Sequence, residues 1–106
     1  MINKELNGLF EDCLTYWGEE AQLRMVQEEC AELILAVSHY LRGRENGKDN
    51  LIEELGDVWL MISQMIHHYG QGDVEKVIDF KSERTLNKLN RYKEKEKEYG
   101  IQHTSR

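Results

Sequence analysis

The chain has 106 residues, no proline, two cysteines and a formal net charge of −6. That length suits one domain with a modest core, and the negative charge argues against general nucleic-acid binding. No apolar run approaches the ~20 residues needed to span a bilayer, so neither a membrane nor a nucleic acid is expected as a partner.

Leu, Glu and Lys dominate and proline is absent, which predicts an all-α fold. The first helix is expected from about Asn3 to Tyr16, with Leu6, Leu9, Phe10, Cys13 and Trp17 at intervals of three to four, and Gly18 as its stop. The second runs from about Glu19 to Arg42 and ends at Gly43, the residue type that most readily takes a left-handed C-cap. A polar turn, Arg44-Glu45-Asn46-Gly47-Lys48-Asp49, follows. Asn50 is expected to cap the third helix, with Glu53 three residues later as in a capping box. That helix continues to about Tyr69, where Gly70-Gln71-Gly72 breaks it. Asp73 is expected to cap a fourth helix, whose end alternates Lys and Glu from Lys93 to Glu98. Residues 1–100 thus read as a single domain and 101–106 as a disordered tail.

The charge is unevenly spread. Residues 1–73 carry 5 basic and 14 acidic side chains, a net of −9, whereas residues 74–106 carry 9 and 6, a net of +3. Cys13 and Cys30 have no metal or redox spacing and read as reduced, packed thiols. The start, Met1-Ile2-Asn3-Lys4-Glu5, lacks a leader pattern. A cytoplasmic protein is the expectation.

Two carboxylate sets carry the chemistry. They read Glu28-Glu29-Cys30-Ala31-Glu32 and Glu53-Glu54-Leu55-Gly56-Asp57. The pairs Glu29/Glu32 and Glu54/Asp57 are i, i+3, so each shares one helix face. At ~100° per residue, Glu29 points into the apolar arc of Met25, Val26, Cys30, Leu33, Ala36 and Val37. Glu54 points into the arc of Leu51, Val58, Met61, Ile62 and Met65. Glu32 and Asp57 fall at the arc edges, and Glu28 and Glu53 lie farther round. An antiparallel pairing would face the two sets toward each other. A carboxylate in an apolar stripe must be protonated, paired with a cation or bound to a metal. Four such groups suit a hard divalent cation, which in turn suits a phosphate-bearing ligand. An ordinary solvated surface is the bland alternative, and acids in the middle of an apolar arc speak against it.

Glu28-Glu29-x-x-Glu32 followed by Glu54-x-x-Asp57, with the stretches Trp17-Gly18-Glu19-Glu20-Ala21-Gln22 and Glu54-Leu55-Gly56-Asp57-Val58, resembles the MazG-like all-α nucleoside triphosphate pyrophosphohydrolases. The resemblance covers about residues 15–92. It implies a four-helix bundle-like fold completed by dimerisation, as a homodimer or homotetramer. It implies Mg²⁺-dependent cleavage of NTPs or dNTPs to the monophosphate and pyrophosphate, with Mn²⁺ as the substitute ion. Carried over by motif, Glu29, Glu32, Glu54 and Asp57 would be metal ligands. Glu28 and Glu53 would support them, either one accepting a proton from the attacking water.

Lys81, Arg84, Lys88 and Arg91 recur at helical spacing, and the resemblance makes Lys81 and Arg84 expected phosphate contacts. Trp17, Trp59, Tyr16 and Tyr40 could each stack on a nucleobase, with packing as the ordinary reading of all four, and Gln22 stands where the family meets its substrate. Gly56, inside a helix, is expected to mark a close neighbouring helix or room for the metal. His67 and His68 lie too far along their helix to share the metal and read as surface or interface residues. Two alternatives remain in view. One is a phosphoribosyl-ATP pyrophosphohydrolase, disfavoured by Val58-Trp59-Leu60-Met61 after Asp57. The other is a non-catalytic helical dimer that binds a partner through its acids.

Overall fold

A computed structural model describes residues 5–100. The expected tail at 101–106 and the start of the first helix at Asn3 lie outside the described residues. Four helices follow one another: α1 (Leu6–Trp17), α2 (Glu19–Leu41), α3 (Gly47–Tyr69) and α4 (Gln71–Tyr99). The all-α expectation holds. The chain forms two compact units, Met1–Gln71 and Gly72–Arg106.

In the first unit α2 and α3 form the main helix pair, and α1 packs on both. The pairing is antiparallel: Gln22, early in α2, meets Gln64, late in α3, while Tyr40 at the end of α2 meets Gly47 at the start of α3. The turn between them is tightly specified. Gly43 takes φ +72, and the N–H groups of Gly43 and Arg44 donate to the carbonyls of Tyr40 and His39. That is the Schellman pattern, which satisfies two carbonyls that the helix end would otherwise leave bare.

Helix α3 begins four residues earlier than its sequence suggests, with Asn46 in place of Asn50 before its first residue. Asn46 adopts the left-handed conformation (φ 60), one that asparagine tolerates better than most residues. The helix then starts at Gly47, where a Cβ would sit 3.1 Å from the Tyr40 Cα. Any larger residue would push the two helix ends apart by a few tenths of an ångström. Asn50 is therefore inside the first turns, its N–H bonded to the Asn46 carbonyl, and it caps nothing. Likewise α4 starts at Gln71, directly after Gly70 (φ 118), so Asp73 is a first-turn acid facing the positive helix end, not a cap.

The core is small. Phe10 of α1, Ala36 of α2 and Met65 of α3 are its buried apolar side chains. Gln22 and Gln64 are buried beside them, and the Gln64 Nε2 donates to the Gln22 Oε1 at 2.6 Å. Each amide thus satisfies part of the other's demand, which a buried amide requires.

Phe10 is the buried residue of α1, so that helix has a light apolar anchor. Polar ties add to it at the end of α3. His67 Nε2 lies 2.9 Å from Glu11 Oε1 of α1, and His68 Nε2 lies 2.8 Å from Glu19 Oε2 at the start of α2. Between α1 and α2 stands Gly18 (φ 88, ψ 161), a backbone geometry that side chains rarely adopt.

The second unit is α4 itself. Among its described residues none is buried, and Val77, Ile78, Phe80, Leu86, Leu89 and Tyr92 are all exposed. The cations Lys81, Arg84, Lys88 and Arg91 keep their helical spacing along it. No helix of the described residues is long and apolar enough to cross a membrane.

Candidate metal centre

The inward stripe of α2 runs Gln22, Val26, Glu29, Leu33, Ala36, and that of α3 runs Leu51, Glu54, Asp57, Val58, Met61, Met65. Spacings of three and four keep each set on one side of its helix. The antiparallel pairing then brings the midpoints of the stripes together, and the midpoints are acids. One carboxylate oxygen each from Glu29, Glu54 and Asp57 lies within 4.8 Å of the others. All three side chains are half-buried.

Among the described residues no cation pairs with these acids. Glu29 Oε2 and Glu54 Oε2 are each buried without a hydrogen-bond partner. Such an atom costs free energy unless something outside the chain meets it. The electrostatics agree. Burial lifts Glu29 above the usual glutamate range, and the neighbouring charges of Glu32, Asp57 and Glu28 lift it further. Glu54 is raised for the same reason, first by burial and then by Glu32, Asp57, Glu29 and Glu53. Like charges held this close resist ionising together. A hard cation removes that penalty and takes oxygen ligands at this convergence. The donor set fits a divalent metal.

The six acids of the motif separate by position. Glu29, Glu54 and Asp57 converge. Asp57 is thus an inward group, not the edge group that the helical arc suggests, because α2 covers that side of α3. Glu32 is exposed, close enough to raise both Glu29 and Glu54 yet outside the converging three. Glu28 and Glu53 are exposed flankers whose charges are felt by Glu29 and Glu54 respectively.

The remaining candidates are not among the three converging acids. Trp17 ends α1, 59% exposed, with its ring edge-on to Tyr16 at 5.2 Å between centroids. Gln22 is interior, 6% exposed and tied to Gln64. Lys81 and Arg84 lie on α4, in the second unit, both exposed, with the Arg84 guanidinium 5.9 Å from the centre of the Phe80 ring. Gly56 is exposed, and a Cβ there would meet nothing within 4 Å, so close helix packing does not explain it.

Two features went unseen in the sequence. Gln64 sits in the apolar run of α3, and an amide in that place was the available signal for a buried partner. The histidine–glutamate pairs join residues 56 and 49 positions apart, and no local pattern announces such contacts.

Comparison with known families matches residues 18–95 to the MazG nucleotide pyrophosphohydrolase domain. The match spans both acid motifs and most of α4. Neither the curated proteins nor the solved structures yield a match.

Proposed function

The chain belongs to the MazG nucleotide pyrophosphohydrolase family, and on that premise we propose that it cleaves nucleoside triphosphates between the α and β phosphates. The products are the monophosphate and pyrophosphate. The observation that carries this reading is the pair of buried, partnerless carboxylate oxygens on Glu29 and Glu54 at the meeting point of three acids.

In this reading Glu29, Glu54 and Asp57 would hold Mg²⁺, and Glu32, exposed beside them, would complete the set. Mn²⁺ would serve in its place, being of similar charge and oxygen preference. The ion supplies charge that neutralises the triphosphate and favours ionisation of the attacking water. The protein's own part is to fix four carboxylates on two rigid helices, so that little reorganisation accompanies binding. Glu28 or Glu53, exposed beside the ligands, accepts the proton as water attacks the α-phosphorus. The bond to the bridging oxygen breaks, and pyrophosphate departs.

Trp17 offers an exposed aromatic face for the base. Lys81 and Arg84 are assigned to the phosphates by their spacing and by the family resemblance. Gln22 acts on substrate from within the helix pair, its amide orientation fixed by Gln64. Self-association as a homodimer or homotetramer belongs to the same reading, supported by Ile34, Leu35 and Leu41, all exposed on α2. A cytoplasmic setting, where nucleotides and Mg²⁺ meet, completes it.

Pyrophosphate release from a panel of NTPs and dNTPs, with Mg²⁺ and with EDTA, tests the proposal. Metal-dependent release from one or more members is expected. A folded protein that releases none of it would overturn the assignment, and release from phosphoribosyl-ATP alone would move it to that branch.

A further inference from the structure

The end of α3 does something that the acid centre does not require. His67 holds Glu11, which lies on α1 before Gly18, and His68 holds Glu19, which lies on α2 just after it. Tyr69 also hydrogen-bonds Glu19. Three consecutive residues of one helix thus grip both sides of a single glycine joint. Successive residues on a helix point ~100° apart, so neighbouring histidines are suited to seize two different helices.

The joint needs such a grip. Gly18 takes a φ of 88, and a Cβ there would meet nothing within 4 Å, so packing does not lock it. Helix α1 has Phe10 as its buried anchor, with the His67 ring 6.4 Å from the Phe10 ring. Trp17 is the residue immediately before the joint. Its direction therefore follows the angle between α1 and α2.

We propose that His67 and His68 are positioning residues, a two-point clasp across the Gly18 joint that sets the α1–α2 angle and with it the direction of Trp17. The link to the nucleobase rests on the function assigned above to Trp17; the clasp itself does not. The groups facing the imidazoles are Glu11 from α1, Glu19 from α2 and Tyr69 on α3 itself. An open recess of about 430 Å³, lined by Glu11, Leu14, Thr15, His67 and His68, lets water reach both rings. On the acid side of the clasp, hydrogen bonds from His68 and Tyr69 hold the Glu19 carboxyl below the usual glutamate value, which keeps it a charged acceptor.

The test uses Trp17 as its own reporter. The chain has two tryptophans, so Trp59→Phe leaves Trp17 as the single tryptophan, excited selectively at the red edge beyond the tyrosine band. In that background, His67→Ala with His68→Ala should raise acrylamide quenching of Trp17 roughly twofold, the scale of exposed pairs, and lower its anisotropy. His67→Gln with His68→Gln keeps a donor near each Nε2 position and should restore rigidity. Unchanged quenching and anisotropy in the alanine pair, with native helix content, would overturn the clasp. If that pair does not fold, the single variants are read by hydrogen exchange of the α1 amides, and exchange no faster than in the parent overturns it. Turnover separates the two ideas. A KM increase of roughly threefold with kcat retained marks lost positioning of a binding group. Looser Trp17 with an unchanged KM would leave the clasp standing and remove Trp17 from base recognition.

Discussion

Two sets of glutamates in the first unit occupy opposite circumstances. Glu11 and Glu19 each rest on a histidine, and Glu19 is held below the usual glutamate range by His68 and Tyr69. Glu29 and Glu54 converge with Asp57, keep one buried oxygen each without a partner among the described residues, and are raised. The residue type is the same, and the local supply of protons and cations differs. Where the chain completes its own electrostatics, a carboxylate ties helices together. Where it leaves them incomplete, the deficit marks the place for a ligand.

The sharpest way to break that contrast is to neutralise an acid from each set. Glu54→Gln should lower kcat/KM by about 10³-fold, the scale of losing a group that stabilises transition-state charge, and weaken Mn²⁺ binding seen by calorimetry. The helix content should stay intact. Glu11→Gln should leave kcat and metal binding near the parent level, with at most the roughly threefold KM increase of a loosened clasp. A Glu54→Gln protein with full metal-dependent activity would erase the distinction.

Metal and pH sharpen it next. Saturating Mg²⁺ at about a hundredfold excess over Kd should add about 3 kcal/mol to the stability of the parent, and none to Glu54→Gln, in thermal or denaturant melts. Without metal, the two sets pull in opposite pH windows on either side of the ordinary glutamate value of 4.5. Glu29 and Glu54 are raised when folded, so their contribution is fully present below 4.5 and is lost as pH rises through their folded values. Glu19 is lowered, so its contribution is present above 4.5 and is lost as pH falls through its folded value. Metal-free stability should therefore decline on the alkaline side of 4.5, and Mg²⁺ should cancel that decline.

Smaller effects probe how the acids are held. Gln64→Leu strands the buried Gln22 carbonyl and should cost about 1–3 kcal/mol in denaturant unfolding. Gly56→Ala, beside the acids but free of clashes, should stabilise α3 by about 0.5–1 kcal/mol in the metal-free protein. A large loss from that alanine would mean that a neighbour or ligand needs the space.

Much of this was open to reading in the sequence. The 3.6-residue period gives four helices because each apolar stripe is long, and Gly18, Gly43 and Gly70 punctuate them where positive φ is needed. The inward acids are visible for the same reason: Glu29 and Glu54 fall inside the arcs whichever helix they face. The misjudged details depend on contact between elements. Asn50 looks like a cap until the close approach of Gly47 to Tyr40 moves the helix start upstream. Asp57 looks marginal on its own helix and becomes interior only when α2 covers it. Gly56 invites a packing explanation that the neighbouring helix does not provide. The grip of His67 and His68 on Glu11 and Glu19 joins distant residues, and neither period nor propensity encodes it.

The five-residue turn between α2 and α3 has one last implication. Surface loops ordinarily absorb insertions and deletions without harm. Here the Schellman bonds, the left-handed Asn46 and the Gly47–Tyr40 approach fix the offset of one helix against the other. One residue more or less would break these bonds and release the offset that holds Glu54 and Asp57 against Glu29. The length of a solvent-facing turn is in this way a condition on the carboxylates it aligns, and the loop acts on the candidate centre from its far end.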